Sequence, residues 1–139
     1  MPLPPGILSV DLVVCERVLR EMDGVPSAIR MVDLFNVPES ILALPNPTIV
    51  FFAIVFVRGD VGAAGNFICR MQLSDPNGNE IGIAQQAVSV NPVVEGAPGG
   101  AVTLGLFNVI AVIGTYRLRV FLDDELQAQT TITTLRVPE

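Results

Sequence analysis

The sequence predicts an all-β protein: an antiparallel β-sandwich of about eight strands with one short helical connector. Three observations lead there. Turn chemistry recurs every ~8–15 residues. The segments between turns alternate apolar and polar side chains. One stretch, residues 48–57 (TIVFFAIVFV), is apolar at nine of its ten positions and rich in β-branched and aromatic residues, which suit a pleated sheet better than a helix. That stretch is too short to cross a bilayer as a helix, which takes ~18–20 residues. Pro45 and Pro47 precede it and Arg58-Gly59-Asp60 closes it, so it reads as a central strand buried on both faces.

Taken in order, residues 1–9 form an extended, Pro/Gly-rich lead-in, and one domain occupies residues 10–139. Residues 10–19 read as a strand with Val10, Leu12 and Val14 on one face and Asp11, Val13 and Cys15 on the other. Residues 15–21 also fit a helical turn, since Val18 and Met22 keep helical spacing, but the β-branched run upstream favours the strand. Asp23-Gly24 signals a hairpin turn, and residues 27–35 form the return strand. Residues 37–45 are a connector with one helical turn ended by Pro45, expected to cap the core with Ile41, Leu42 and Leu44.

Residues 59–65 (GDVGAAG) follow the central strand as a flexible loop. Residues 66–74 alternate, with Phe67, Cys69, Met71 and Leu73 opposite Asn66, Arg70, Gln72 and Ser74. In the turn DPNGN (75–79), proline presets φ and Asn-Gly supplies the positive φ. Residues 81–90 make the next strand, anchored by Ile81, Ile83 and Val88. Residues 91–100 (NPVVEGAPGG) read as a long loop, and residues 101–113 as another apolar run broken at Gly114. Residues 115–122 are the cleanest amphipathic strand: Tyr116, Leu118, Val120 and Leu122 inward, Arg117 and Arg119 outward. Asp123-Asp124-Glu125 turns the chain into a last strand at 126–137, rich in threonine.

Composition narrows function by exclusion. The net charge is −6, and all eight basic residues are dispersed arginines, which argues against a nucleic-acid groove or an anionic membrane surface. Histidine is absent, which removes Ser-His-Asp and Cys-His catalysis and the usual zinc sites. No P-loop is present. Cys15 and Cys69, each inside an expected strand, read as buried free thiols. The N-terminus lacks a signal-peptide pattern, so a cytoplasmic location is expected. Arg58-Gly59-Asp60 matches a cell-adhesion tripeptide, but a strand end with a turn accounts for it. The acids Asp75, Glu80, Asp123, Asp124 and Glu125 fall at hairpin tips and read as solvated turn residues, with a Ca²⁺ site in the end loops as the alternative.

Cys15, then Phe35-Asn36-Val37-Pro38, Gly65-Asn66-Phe67, Leu73-Ser74-Asp75-Pro76-Asn77-Gly78 and Gly114-Thr115-Tyr116-Arg117-Leu118-Arg119-Val120 occur in an order and spacing that resembles a family of small uncharacterised bacterial β-sandwich domains. The resemblance runs from about Val10 to Leu135. It implies a C2-like or immunoglobulin-like sandwich and supplies no catalytic residues.

The functional expectation is a non-enzymatic structural or protein-interaction module without cofactor or metal. It would self-associate or dock on a protein partner through an apolar sheet face. The alternative is an accessory β-sandwich that binds a ligand or Ca²⁺ with its end loops. Only 16% of residues are charged and mean hydropathy is +0.57, leaving more apolar surface than one core absorbs. A strand in a sandwich has one core face. The even-numbered set, Val50, Phe52, Ile54 and Phe56, is bulkier and is expected inside. The odd set, with Ile49, Phe51, Val55 and Val57, is then the contact face.

Overall fold

The computed structural model describes residues 3–20, 26–31, 33–92 and 94–138; for residues 17–20 and 26–31 the backbone alone is considered. Among the described residues there are nine strands: β1 (Ile7–Arg20), β2 (Pro26–Met31), β3 (Leu34–Pro38), β4 (Thr48–Val61), β5 (Gly65–Ser74), β6 (Glu80–Pro92), β7 (Pro98–Ile110), β8 (Gly114–Leu122) and β9 (Glu125–Val137). One helical turn, α1 (Glu39–Leu42), lies between β3 and β4. The strands form one sheet in the order β2-β1-β4-β7-β6-β5-β8-β9-β3, curled into a half-barrel. All pairings are antiparallel except β3 with β9. The all-β expectation holds.

Curling gives the sheet two facing halves. β6 is the hinge: residues 80–90 pair with β5, then Asn91 and Pro92 pair with Gly100 and Gly99 of β7. Where β6 and β7 diverge, the Gln86 side chain spans them. Its Nε2 donates to the Leu104 carbonyl at 2.6 Å, and its Oε1 accepts from Thr103 Oγ1 at 2.6 Å.

The core lies between the halves. From the first half come Val14 of β1, Ile49, Phe51, Ala53, Val55 and Val57 of β4, and Phe107 and Val109 of β7. The second half supplies Met71 and Leu73 of β5, Tyr116, Leu118 and Val120 of β8, and Ile132 of β9. Phe51 stacks on its cross-strand partner Phe107 with ring centroids 5.3 Å apart, and meets Phe35 of β3 at 6.1 Å. Ala53 pairs with Gly105, and a Cβ on Gly105 would stand 2.8 Å from Met71 Sδ. Two small residues side by side thus make room for the methionine of the opposite half.

The β7–β8 corner is held by Tyr116, whose ring is fully buried. Its hydroxyl donates to the Ile110 carbonyl at 2.9 Å and accepts from the Val112 N–H at 2.6 Å. The buried Thr134 hydroxyl accepts from the Gly114 N–H at 3.0 Å and donates to the Val112 carbonyl. Gly114 has φ +137 and its α-carbon faces Pro76, leaving no room for a side chain.

Several boundaries differ from expectation. The lead-in is tied down earlier than expected: Gly6 accepts a hydrogen bond from the Asp60 N–H at 2.9 Å, and β1 begins at Ile7. The single return strand is two strands. β2 pairs with β1, whereas β3 crosses to the other end of the sheet and pairs with β9. The Asp23-Gly24 turn lies outside the described residues. β4 continues through Arg58-Gly59-Asp60 to Val61, because β1 and β7 both keep pairing with it, so the expected loop shrinks to residues 62–64. The expected loop at 91–100 likewise contributes its ends to β6 and β7. In β6 the inward residues are Val88 and Val90; Ile81 and Ile83 point outward and are exposed. Of the three residues expected to cap the core, Ile41, Leu42 and Leu44, Leu42 alone packs on it, and Val37 at the connector's start is itself buried in the core.

Candidate interaction surface

Side chains alternate along a strand, so the register of β1, β4 and β7 defines the outer face of the first half. Val13 pairs with Ile54 and Cys15 with Phe52. On the other side of β4, Val50 pairs with Asn108, Phe52 with Leu106, Ile54 with Leu104 and Phe56 with Val102. Ile110 extends the same row. Among these described side chains, Asn108 alone carries a hydrogen-bonding group other than the thiol. The outermost are well exposed: Val50 45%, Leu106 59% and Ile110 49%. Ile54, at the middle, is only 1% exposed, because Phe52 and Phe56 flank it along the strand and Val13 and Leu104 flank it across. The face therefore has a raised apolar rim around a closed centre.

Among the described side chains of this face, charge enters at one end, where Asp11 and Arg58 form an exposed ion pair at 3.5 Å. At the other end a depression of about 350 Å³ lined by Ile81, Asn108, Val109, Ile110, Val112 and Asp75 continues the apolar surface round the bottom of the sheet.

This arrangement overturns the expected assignment of faces. Ile49, Phe51, Val55 and Val57, expected as the contact face, are buried in the core; Val50, Phe52 and Phe56, expected inside, lie on the outer face. Bulk was the wrong criterion. The inner face must match the opposite half, and the small Ala53 beside Gly105 does so by admitting Met71. The contribution of β7 was not foreseen either. A signal was present: in residues 101–110 the inward set includes Thr103 and Gly105, while the outward set is nearly all aliphatic.

The outer face of the second half is mixed, with the exposed Ile68 and Ile83 among polar and charged side chains. It carries Arg70, Gln72, Arg117, Arg119, Gln129 and Thr131. Arg70 lies 4.5 Å over the Phe121 ring and pairs with Asp124 at 2.9 Å.

The acidic tips are built into the turns. Asp75 Oδ1 accepts from the N–H groups of Asn77 and Asn79, closing the DPNGN turn. Asp123 and Asp124 adopt positive φ at the β8–β9 turn, and Asp123 Oδ1 accepts from the Ile68 N–H at 2.8 Å. Among the described residues no three of Cys, Asp and Glu gather where they could hold a metal. Arg58-Gly59-Asp60 lies within paired strand, with Gly59 buried against Val90 and Gly99. Cys15 and Cys69 are both buried and form no disulfide, Cys15 in the outer face and Cys69 in the core; burial pushes the Cys69 thiol up to about 11. Among the described residues no helix is long and apolar enough to cross a membrane.

The two halves are β2-β1-β4-β7 and β6-β5-β8-β9-β3, with β6 crossing to β7 only at Asn91 and Pro92 and a buried tyrosine closing the β7–β8 corner, a layout similar to that of immunoglobulin-like sandwiches. No protein-family model matches the chain, and no curated protein sequence matches it. Among solved structures, an immunoglobulin-like protein from Pseudomonas aeruginosa matches with a TM-score of 0.37 and 16% identity, over 91% of this chain and 95% of that one. The DNA-bound alkylpurine DNA glycosylase AlkC of Pseudomonas fluorescens matches with a TM-score of 0.46 and 9% identity. That alignment covers 93% of this chain and 31% of the glycosylase, so the chain spans about a third of its length.

Proposed function

We propose that the chain is a non-enzymatic protein-interaction module of the cytosol that docks through the outer face of β1, β4 and β7. One observation carries the reading: on two adjacent long strands the exposed Val50, Val102, Leu106 and Ile110 and the half-buried Phe52, Phe56 and Leu104 form an uncharged outer row interrupted by the single polar residue Asn108. Contiguous apolar surface on that scale, rimmed by polar residues, is where proteins meet. Two buried cysteines outside any disulfide fit a reducing compartment.

The test is site-directed photo-crosslinking in the expressing cell. A photoreactive phenylalanine analogue at Leu106 is expected to give discrete protein adducts, while the same analogue at Thr131, on the outer face of the second half, gives none. Absence of adducts at Leu106, or equal adducts at both positions, would overturn the docking reading.

A further inference from the structure

The occupant of the apolar face follows from its size, its charge and the surface the chain leaves exposed. We infer that it is a second copy of this chain, packed face to face on β1, β4 and β7; this rests on the docking reading above.

Size comes first. Three strands ~4.8 Å apart and about ten residues long at ~3.3 Å each give a projected face on the order of 500 Å². The side chains that stand up from it enlarge the accessible area, so two copies bury on the order of 1,200 Å² in total. That reaches the lower end of the range for specific, stable interfaces. The accessible surface points the same way. The chain exposes 8027 Å², whereas a compact monomer of 14.8 kDa exposes about 7,000 Å². A face-to-face pair would remove about 600 Å² from each copy, somewhat over half of that excess.

Charge then selects the partner. The net charge is −6, and two such chains repel at long range. A partner recruited by electrostatics would have to be basic and would need acidic groups on the docking face to hold it. The described side chains of that face offer acids only at one end, Asp11, which pairs with Arg58, and Asp60, and none along the row from Val50 to Phe56 or from Val102 to Ile110. An isologous contact has no such requirement, because each patch meets its own chemistry. The Asp11–Arg58 pair is itself self-complementary, since opposite charges side by side on one copy can meet the same pair reversed on the other. The relief is compatible too: the raised residues Val50, Val102 and Leu106 surround a closed centre at Ile54, so packing needs no opening of the core.

The experiment is sedimentation equilibrium of the purified chain from about 10 to 300 μM, with circular dichroism as the fold control. The wild type is expected to approach twice 14.8 kDa as concentration rises. Leu106→Glu and Val50→Glu are each expected to hold the chain at monomer mass with an unchanged spectrum, and Thr131→Glu to leave the dimer intact. Should one glutamate variant lose its fold, the other carries the test. A monodisperse wild-type monomer across the whole range, or a dimer that survives in a folded glutamate variant, would overturn the inference. The two readings fail separately. Adducts of other masses at Leu106 with a monomeric wild type defeat the second copy and leave docking standing, whereas no adduct at Leu106 defeats both.

Discussion

Replacing Tyr116 with phenylalanine removes one oxygen from a fully buried side chain and leaves its ring volume unchanged. The oxygen serves two backbone groups that have to turn the chain from one half of the sheet to the other: it accepts from the Val112 N–H at 2.6 Å and donates to the Ile110 carbonyl at 2.9 Å. Burial keeps the phenol above its ordinary pKa, the Val112 N–H opposes this, and the negative charge of Asp75 adds to it, so the hydroxyl stays protonated and able to donate at neutral pH. An unsatisfied buried group costs about 1–3 kcal/mol. The Val112 N–H falls near that full cost. The Ile110 carbonyl lies nearer the surface, since the Ile110 side chain is exposed, and water can replace part of its bond. Together they place the loss at about 2 kcal/mol, a fall in Tm of about 6–8 °C for a chain of this length. Urea unfolding followed by circular dichroism measures it, with an unchanged m-value showing that the compactness of the unfolded chain is unaltered. The reasoning would be refuted by a Tyr116→Phe chain within about 0.5 kcal/mol of wild type, because the corner would then be held by packing alone.

The other expectations are simpler. Thr134→Val keeps the shape but removes the hydroxyl that serves the Gly114 N–H and the Val112 and Gly114 carbonyls. It is expected to cost about 1–3 kcal/mol and, in a double-mutant cycle with Tyr116→Phe, to show coupling rather than additivity. Gly114→Ala places a methyl group 2.7 Å from Pro76 Cβ at φ +137, so thermal unfolding is expected to drop by several degrees; an unchanged Tm would contradict the contact. Phe51→Glu buries an unpaired carboxylate between the halves and is expected to abolish the folded circular dichroism spectrum, while Leu106→Glu keeps it.

The last concerns alkaline pH. Below pH 9 the Cys69 thiol is neutral in the folded and unfolded chain alike. Between pH 9 and about 11 it ionises in the unfolded chain first, since burial holds the folded thiol near 11. Stability should therefore fall through that window, by about 2–3 kcal/mol at its upper end. Cys69→Ala, though less stable at pH 8, is expected to lose that part of the slope, and an identical pH profile for both chains would rule the assignment out.

What the amino-acid order determined by itself is local: the period-2 alternation and the turns. Val10, Leu12 and Val14 share a face of β1, and Tyr116, Leu118, Val120 and Leu122 are inward in β8, because each strand has one plainly apolar face. The DPNGN and Asp123-Asp124 turns were legible because proline, glycine and aspartate state their own backbone preference. That β4 carries an apolar outer face besides its core face was also legible, since the strand is apolar on both sides.

Which side of β4 is the core was decided only by tertiary packing. The period of two is symmetric when both faces are apolar, so the choice falls to whichever set fits the opposite half. There the stack of Phe51 on Phe107 and the gap at Ala53 and Gly105 that receives Met71 outweigh the greater bulk of Phe52 and Phe56. The same dependence on distant partners separates β2 from β3. Their sequence is a continuous run of strand-forming residues, but β1 claims one end of it and β9 the other. Residues 58–61 are strand for a related reason. Glycine and aspartate would end an isolated strand, yet β1 on one side and β7 on the other hold the backbone extended past them.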